Sequence, residues 1–131
     1  MNCYCCSGAE FKDCCQPFID GAAKPATAEA LMRSRFSAYA IGAIAYILRS
    51  THPSTERFHN AGAIEKWARS SVWQKLEIVS KSAGEANDKK GTVEFKAYFL
   101  NENEQPQIHH ELSNFEKYLG KWFFVDGKIL S

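Results

Sequence analysis

The sequence predicts an α+β fold, helices first and an antiparallel sheet after, with a small metal knuckle in front. Three observations carry that expectation. Apolar residues recur with a helical period between residues 27 and 50, and the period changes to two from residue 71 onward. All five cysteines fall within the first fifteen of 131 residues. A block of helices followed by a block of strands argues for α+β rather than α/β.

The N-terminal stretch reads Cys3-Tyr4-Cys5-Cys6-Ser7-Gly8, and Cys14-Cys15 follow after Ala9 to Asp13. Thiolates held in two groups across a short loop can converge on one soft cation. Four of them make the tetrahedral tetrathiolate that suits zinc. The rival is a disulfide framework, but small secreted proteins spread their cysteines so that bridges close long loops. Here every cysteine is local and the count of five is odd. No apolar signal-peptide run follows Asn2. The expected compartment is therefore reducing and cytoplasmic. Spacing alone leaves the ligand set open: C-x-x-C selects Cys3 and Cys6, whereas C-x-C selects Cys3 and Cys5.

After the knuckle, residues 16–21 read as a turn whose apolar anchors, Phe18 and Ile19, pin the metal loop to the body. Thr27 is placed to cap a helix, because its hydroxyl can accept an orphan backbone N–H and good helix formers follow. Leu31, Phe36, Tyr39, Ala40, Ala43, Ile44, Ile47 and Leu48 extend the stripe to about Ser50, with Gly42 as a weak point inside it. Pro53 cannot continue that helix. A second helix is predicted over residues 60–70, carried by Ile64, Trp67 and Ala68. Strict alternation then puts Val72, Gln74, Leu76 and Ile78 on one strand face and Trp73, Lys75, Glu77 and Val79 on the other. Residues 92–100 form the clearest strand, with Val93, Phe95, Ala97 and Phe99 on one side. Residues 107–119 make a third strand, and 121–125 a fourth that ends in a turn at Asp126-Gly127. Trp67, Trp73 and Trp122 read as core.

Hydrophobic residues make up 45% and charged residues 24%, as in an ordinary globular domain, and the formal net charge is +1. Four bound thiolates and one divalent cation would move that by two units to −1. Either value is near neutral, so nothing marks a nucleic-acid or membrane surface. Arg33, Arg35 and Arg49 could at most form a local basic patch. No Gly-rich phosphate loop, nucleophile motif or H-E-x-x-H pattern is present. An enzyme is therefore not the leading expectation.

Two resemblances sharpen this reading. Cys3, Cys5, Cys14 and Cys15, with Ser7 and Gly8, resemble the SEC-C motif, a zinc-binding element that also closes the translocation ATPase SecA and serves there as a docking element. Cys6 stands where that motif has glycine, which implies a bystander thiol. Residues 32–40, Thr51-His52-Pro53, residues 110–115 and residues 122–127 together resemble the YchJ-like family of bacterial proteins. That resemblance covers nearly the whole chain. It implies an NTF2-like cone, helices packed on a curved antiparallel sheet, over residues 23–131, preceded by the zinc knuckle over 1–22. It implies one structural zinc and no particular reaction.

Function is expected at two places. The first is the knuckle, read as an adaptor surface for a protein partner. The second is the cone, as a pocket for a small ligand or substrate. Alternation in the third strand separates His110, with Ile108 and Leu112, from His109, Glu111 and Ser113. If the Ile108 and Leu112 face lines the cone, His110 points into it as a group for proton transfer. The structural alternative is a hydrogen-bonded core histidine meeting Arg35 or Tyr39. Arg35 and Tyr39 share a helix face and could hold an anionic ligand, although pairing of Arg35 with Glu111 or a helix-end carbonyl is the simpler expectation. A dimer is compatible with such a sheet.

Overall fold

The computed structural model describes residues 1–130. Behind the knuckle come α1 (Gln16–Ile19), α2 (Ala28–Ile41), α3 (Ile44–Arg49) and α4 (Ala61–Ser70). The strands β1 (Val72–Ala83), β2 (Lys90–Leu100), β3 (Pro106–Tyr118) and β4 (Lys121–Ile129) follow. They form one antiparallel meander in the order β1-β2-β3-β4. The helices lie on one face of this sheet, and Leu31, Phe36, Ile47, Val93, Phe115 and Trp122 are buried between the two layers. Among the described residues no helix is long and apolar enough to cross a membrane.

Thr27 caps α2 as expected, its Oγ1 accepting the Ala30 N–H at 3.0 Å. The single helix expected to reach Ser50 is instead two. Gly42 takes a left-handed conformation (φ 75°), and the N–H groups of Gly42 and Ala43 turn back to the carbonyls of Tyr39 and Ala38 at 3.3 and 2.8 Å. This pair of bonds is a Schellman stop, which satisfies the last carbonyls of a helix and needs a residue tolerant of positive φ. The apolar stripe continues across the break because α3 packs on the same core. The next helix keeps its predicted bounds, with Asn60 Oδ1 accepting the Ala63 N–H at 2.9 Å. The residues read as a turn after Cys15 form the short α1, with Phe18 and Ile19 packed against the core.

Two sheet expectations need correction. A bulge between Trp73 and Lys75 shifts the register of β1. Trp73 thereby faces inward, packing on Phe36 with ring centroids 5.9 Å apart, although strict alternation sets it against Leu76. A bulge inserts one residue, so parity changes across it. Asp126-Gly127 is not a turn. It lies inside β4 and pairs with Ser113 and Asn114 of β3, and Asn114 Nδ2 donates to Asp126 Oδ1 at 2.7 Å. A cross-strand side-chain bond thus holds turn-prone residues in a strand.

The last strand is also tied to the helices. His52 N–H donates to the Phe124 carbonyl at 2.7 Å, and Phe124 N–H to the Ser50 carbonyl at 2.9 Å. Trp122 Nε1 donates to the Ala26 carbonyl at 3.1 Å. These bonds close the helical layer over the sheet.

Gly42→Ala separates one helix from two. The new Cβ would meet nothing nearer than Arg69 Nη1 at 3.8 Å, so the cost is that of left-handed backbone alone, about 1 kcal/mol. A continuous helix would gain about 1 kcal/mol from the same change. Urea unfolding should show a lowered midpoint; a raised one would contradict the break.

Candidate functional site

The first site is built by a small hairpin and the turn that follows it. Cys3 N–H donates to the Ala9 carbonyl at 2.8 Å and Phe11 N–H to the Met1 carbonyl at 3.0 Å. A 3-10 turn at Phe11–Asp13 and the start of α1 then bring Cys14 and Cys15 back against Cys3 and Cys5. The four sulfurs all lie within 4.8 Å of one another. Cys5 Sγ is 3.7 Å and Cys15 Sγ 3.9 Å from Cys14 Sγ. A tetrahedron with metal–sulfur bonds of about 2.3 Å has edges of about 3.8 Å, so the donor set fits a tetrathiolate metal. All five cysteines are free thiols.

Cys6 lies outside this cluster. It is exposed, and it adopts positive φ (64°), the backbone region that favours glycine. Its side chain points to the Tyr4 carbonyl at 3.7 Å.

Proton accounting agrees with a cation. A hydrogen bond from Cys15 outweighs burial and brings the Cys5 thiol down to about 4. The same bond, with burial, drives Cys15 upward, and burial raises Cys14. A divalent ion would stabilise all four thiolates and release the remaining protons.

The knuckle is joined to α2 through residues one turn apart. Arg33 Nη1 donates to the Cys5 carbonyl at 2.7 Å, and Ser37 Oγ lies 3.5 Å from Cys3 Sγ. Arg49 of α3 donates to the Ile19 carbonyl. Arg33 also binds Glu29 at 2.9 Å. Arg33 and Arg49 are thus engaged with backbone carbonyls of the N-terminal segment.

The second site is a cavity of about 250 Å³ between the helices and the sheet. Arg35 and Tyr39 of α2 line it together with Trp67 and Trp73, and β3 contributes His109, Glu111 and Ser113. Trp67 and Trp73, read from the sequence as core, form part of its wall. Arg35 is only 6% exposed. Its Nη1 donates to the Ile47 carbonyl at 2.8 Å and to Ser50 Oγ at 2.6 Å, so the helix-end carbonyl is its partner and Glu111 is not. Its guanidinium lies 4.4 Å from the Phe124 ring centroid.

His110 must be corrected. It is on the outer face of the sheet, with Nε2 2.7 Å from Glu94 Oε2, and it meets neither Arg35 nor Tyr39. The alternation is as read, since β2 and β3 pair without a register shift, but the condition that the Ile108 and Leu112 face lines the cone is not met. Phe95 and Ala97 of β2 are buried, and their partners across the ladder are Glu111 and His109. Cross-strand partners share a face. Ile108, on the His110 side, is 59% exposed. The well-marked buried face of β2 was the signal that identifies His109 instead.

Glu111 is fully engaged. Its Oε1 lies 2.7 Å from His109 Nε2, and its Oε2 accepts from Ser113 Oγ. Burial acts to raise its carboxyl, but the bonds to His109 and Ser113 and the Arg35 charge hold it below the usual range. Gly127 leaves the room for this, because a Cβ there would overlap the carboxylate.

A carboxyl depressed by folding stabilises the protein above its unfolded pKa of about 4.3, and that contribution is lost as pH falls through the folded value. Ser113→Ala should cost about 1.5–3 kcal/mol at neutral pH, the range for a hydrogen bond to a charged group. The difference from wild type should shrink below pH of about 4. Chemical denaturation at neutral and acidic pH checks this; a pH-independent difference would assign the loss to packing.

Comparison with known proteins agrees with the fold and the knuckle. A family model described as the YchJ middle NTF2-like domain matches residues 27–127. A UPF0225 protein of Geobacter sulfurreducens is 40% identical over 125 residues, covering 95% of this chain and 77% of the relative. A UPF0225 protein of Actinobacillus succinogenes is 37% identical over 127 residues, covering 97% and 81%. The solution structure of a SEC-C motif containing protein from Rhodopseudomonas palustris matches with a TM-score of 0.90 at 36% identity, over 100% of both chains. The crystal structure of another from Psychrobacter arcticus matches with a TM-score of 0.79 at 35% identity, over 95% of this chain and 75% of that one. With its cysteine knuckle, its helices and its antiparallel meander, this chain belongs to the YchJ-like family, whose body is an NTF2-like domain.

Proposed function

We propose that this chain is a zinc-stabilised adaptor whose knuckle docks a protein partner. The observation that carries the metal half is the cluster of four sulfurs, all within 4.8 Å of one another and drawn only from cysteine. Soft thiolates in tetrahedral array select zinc over hard cations, and four protein ligands leave no position for a catalytic water. The metal is structural on this reading. The docking half is supported by the way the knuckle is mounted. Its inner side is fastened to α2 by Arg33 and Ser37, while residues 6–10, 12 and 13 are exposed. The likeness of the motif to a known docking tail supports the same reading.

A second reading, small-molecule binding or catalysis in the cone, is favoured by one observation. The interior holds a cavity rather than side chains alone, and His109, Glu111 and Ser113 are arranged on its wall.

Native mass spectrometry should find one zinc per chain. Cys5→Ser should lose it and Cys6→Ser should keep it; the opposite result would exchange the ligands. Chelation should lower the melting temperature and disorder the N-terminus while the sheet keeps its circular dichroism. Pull-down from a bacterial lysate should recover a partner with wild type and lose it with Cys14→Ser plus Cys15→Ser. The same recovery with both proteins, or none with either, would remove the docking role.

A further inference from the structure

We infer that the cone cavity takes a small aromatic carboxylate, its ring against Trp67 and Trp73 and its carboxylate on Arg35 and Tyr39. This rests on the small-molecule reading of the cone and names the ligand class that reading leaves open.

The size comes first. Drug-sized ligands occupy roughly 300–1,000 Å³, and this cavity holds about 250 Å³. That suits a single ring with one substituent. The walls set its character. Tyr39, Trp67 and Trp73 stand edge-on or tilted to one another with centroids 5.1 to 5.5 Å apart. Phe36, which also lines the cavity, adds a fourth ring with its centroid 5.9 Å from that of Trp73. Such clusters receive another ring in the same stacked or edge-to-face geometries.

The polar end is defined by what is left over. Arg35 makes its hydrogen bonds through Nη1, to the Ile47 carbonyl and the hydroxyls of Ser50 and Thr51. Among the described residues, Nε and Nη2 have no protein acceptor, and no carboxylate lies within ion-pair distance of this buried cation. Tyr39, one turn along α2, lines the same cavity with its hydroxyl free of any protein partner among those residues. Burial raises the Tyr39 phenol, so it stays protonated and can donate. A guanidinium edge presents parallel donors at the spacing of a carboxylate's two oxygens. One such edge and one phenol match a carboxylate better than a phosphate, whose additional oxygens would face aromatic carbon.

Glu111 is the counter-charge to consider. Its oxygens are already taken by His109 and Ser113, so it does not compete for the free edge of Arg35. A ligand carboxylate there is met by the guanidinium charge of Arg35, whose free edge no protein carboxylate occupies.

Benzoate is the probe and benzamide its neutral counterpart. Titration of the full, metal-loaded chain, followed by tryptophan fluorescence and ligand-observed NMR, should show saturable benzoate binding at least about tenfold tighter than benzamide. Tyr39→Phe should weaken benzoate severalfold and leave benzamide unchanged. Ala97→Leu, which fills the cavity from β2, should abolish both while the protein stays folded by circular dichroism. Arg35→Met should remove the preference for benzoate. Because Arg35 also holds α3, the ligand comparison on wild type decides the matter if that variant does not fold. Benzamide binding as tightly as benzoate would overturn the carboxylate assignment and leave the small-molecule reading intact. No saturable binding of either would overturn both.

Discussion

One buried guanidinium ties this molecule together. Arg35 starts from α2, caps the carbonyl of Ile47 and the hydroxyl of Ser50 at the end of α3, and lies on the Phe124 ring of β4. Two successive helices and the last strand are thus fixed by a side chain that water scarcely reaches. A buried charge is tolerable only where its donors are used or its field is answered. The helix-end carbonyl, the two hydroxyls and the aromatic face answer part of it. The remainder is what gives the cavity its polarity.

The same helix serves the other site. Arg33 and Ser37 face the knuckle, whereas Arg35 and Tyr39 face the cavity. Each pair is separated by four residues, about one turn, so each occupies its own side. Eight of the α2 residues are buried, which leaves this helix little surface of its own. It is better described as a partition between two sites than as an amphipathic helix on a core.

Much of this was legible in the chain. Thr27 announced a helix start through its capping oxygen, Ile64, Trp67 and Ala68 announced the later helix, and the alternation of Val93, Phe95 and Ala97 announced the central strand. What was not legible depended on tertiary partners. Gly42 could be a weak point inside a helix or its stop, and only packing of α3 onto the core decides. Asp126-Gly127 has turn chemistry, which the pairing of Asn114 with Asp126 overrides. For His109 and His110 the pattern separated the two faces correctly but could not say which was inside. Apolar content alone misled, because Ile108 lies outside and the polar trio His109, Glu111 and Ser113 lies within. The cysteine cluster was legible as a whole, since it lies within a short segment and needs no distant strand to bring it together, but spacing left Cys5 and Cys6 open and only the motif resemblance chose between them.

That locality has a consequence for the order of events as the chain is made. The four-cysteine cluster is complete at Cys15, whereas α2, which packs against its inner side, ends only at Ile41. Synthesis proceeds from the N-terminus, and segments fold as they emerge. All four thiols therefore emerge from the ribosome before α2 can pack against them. In the finished fold Cys3, Cys5 and Cys15 are 4%, 0% and 1% exposed. An ion bound during synthesis would enter through open solvent, while one arriving at the finished fold would meet a cluster in which only Cys14 is partly exposed.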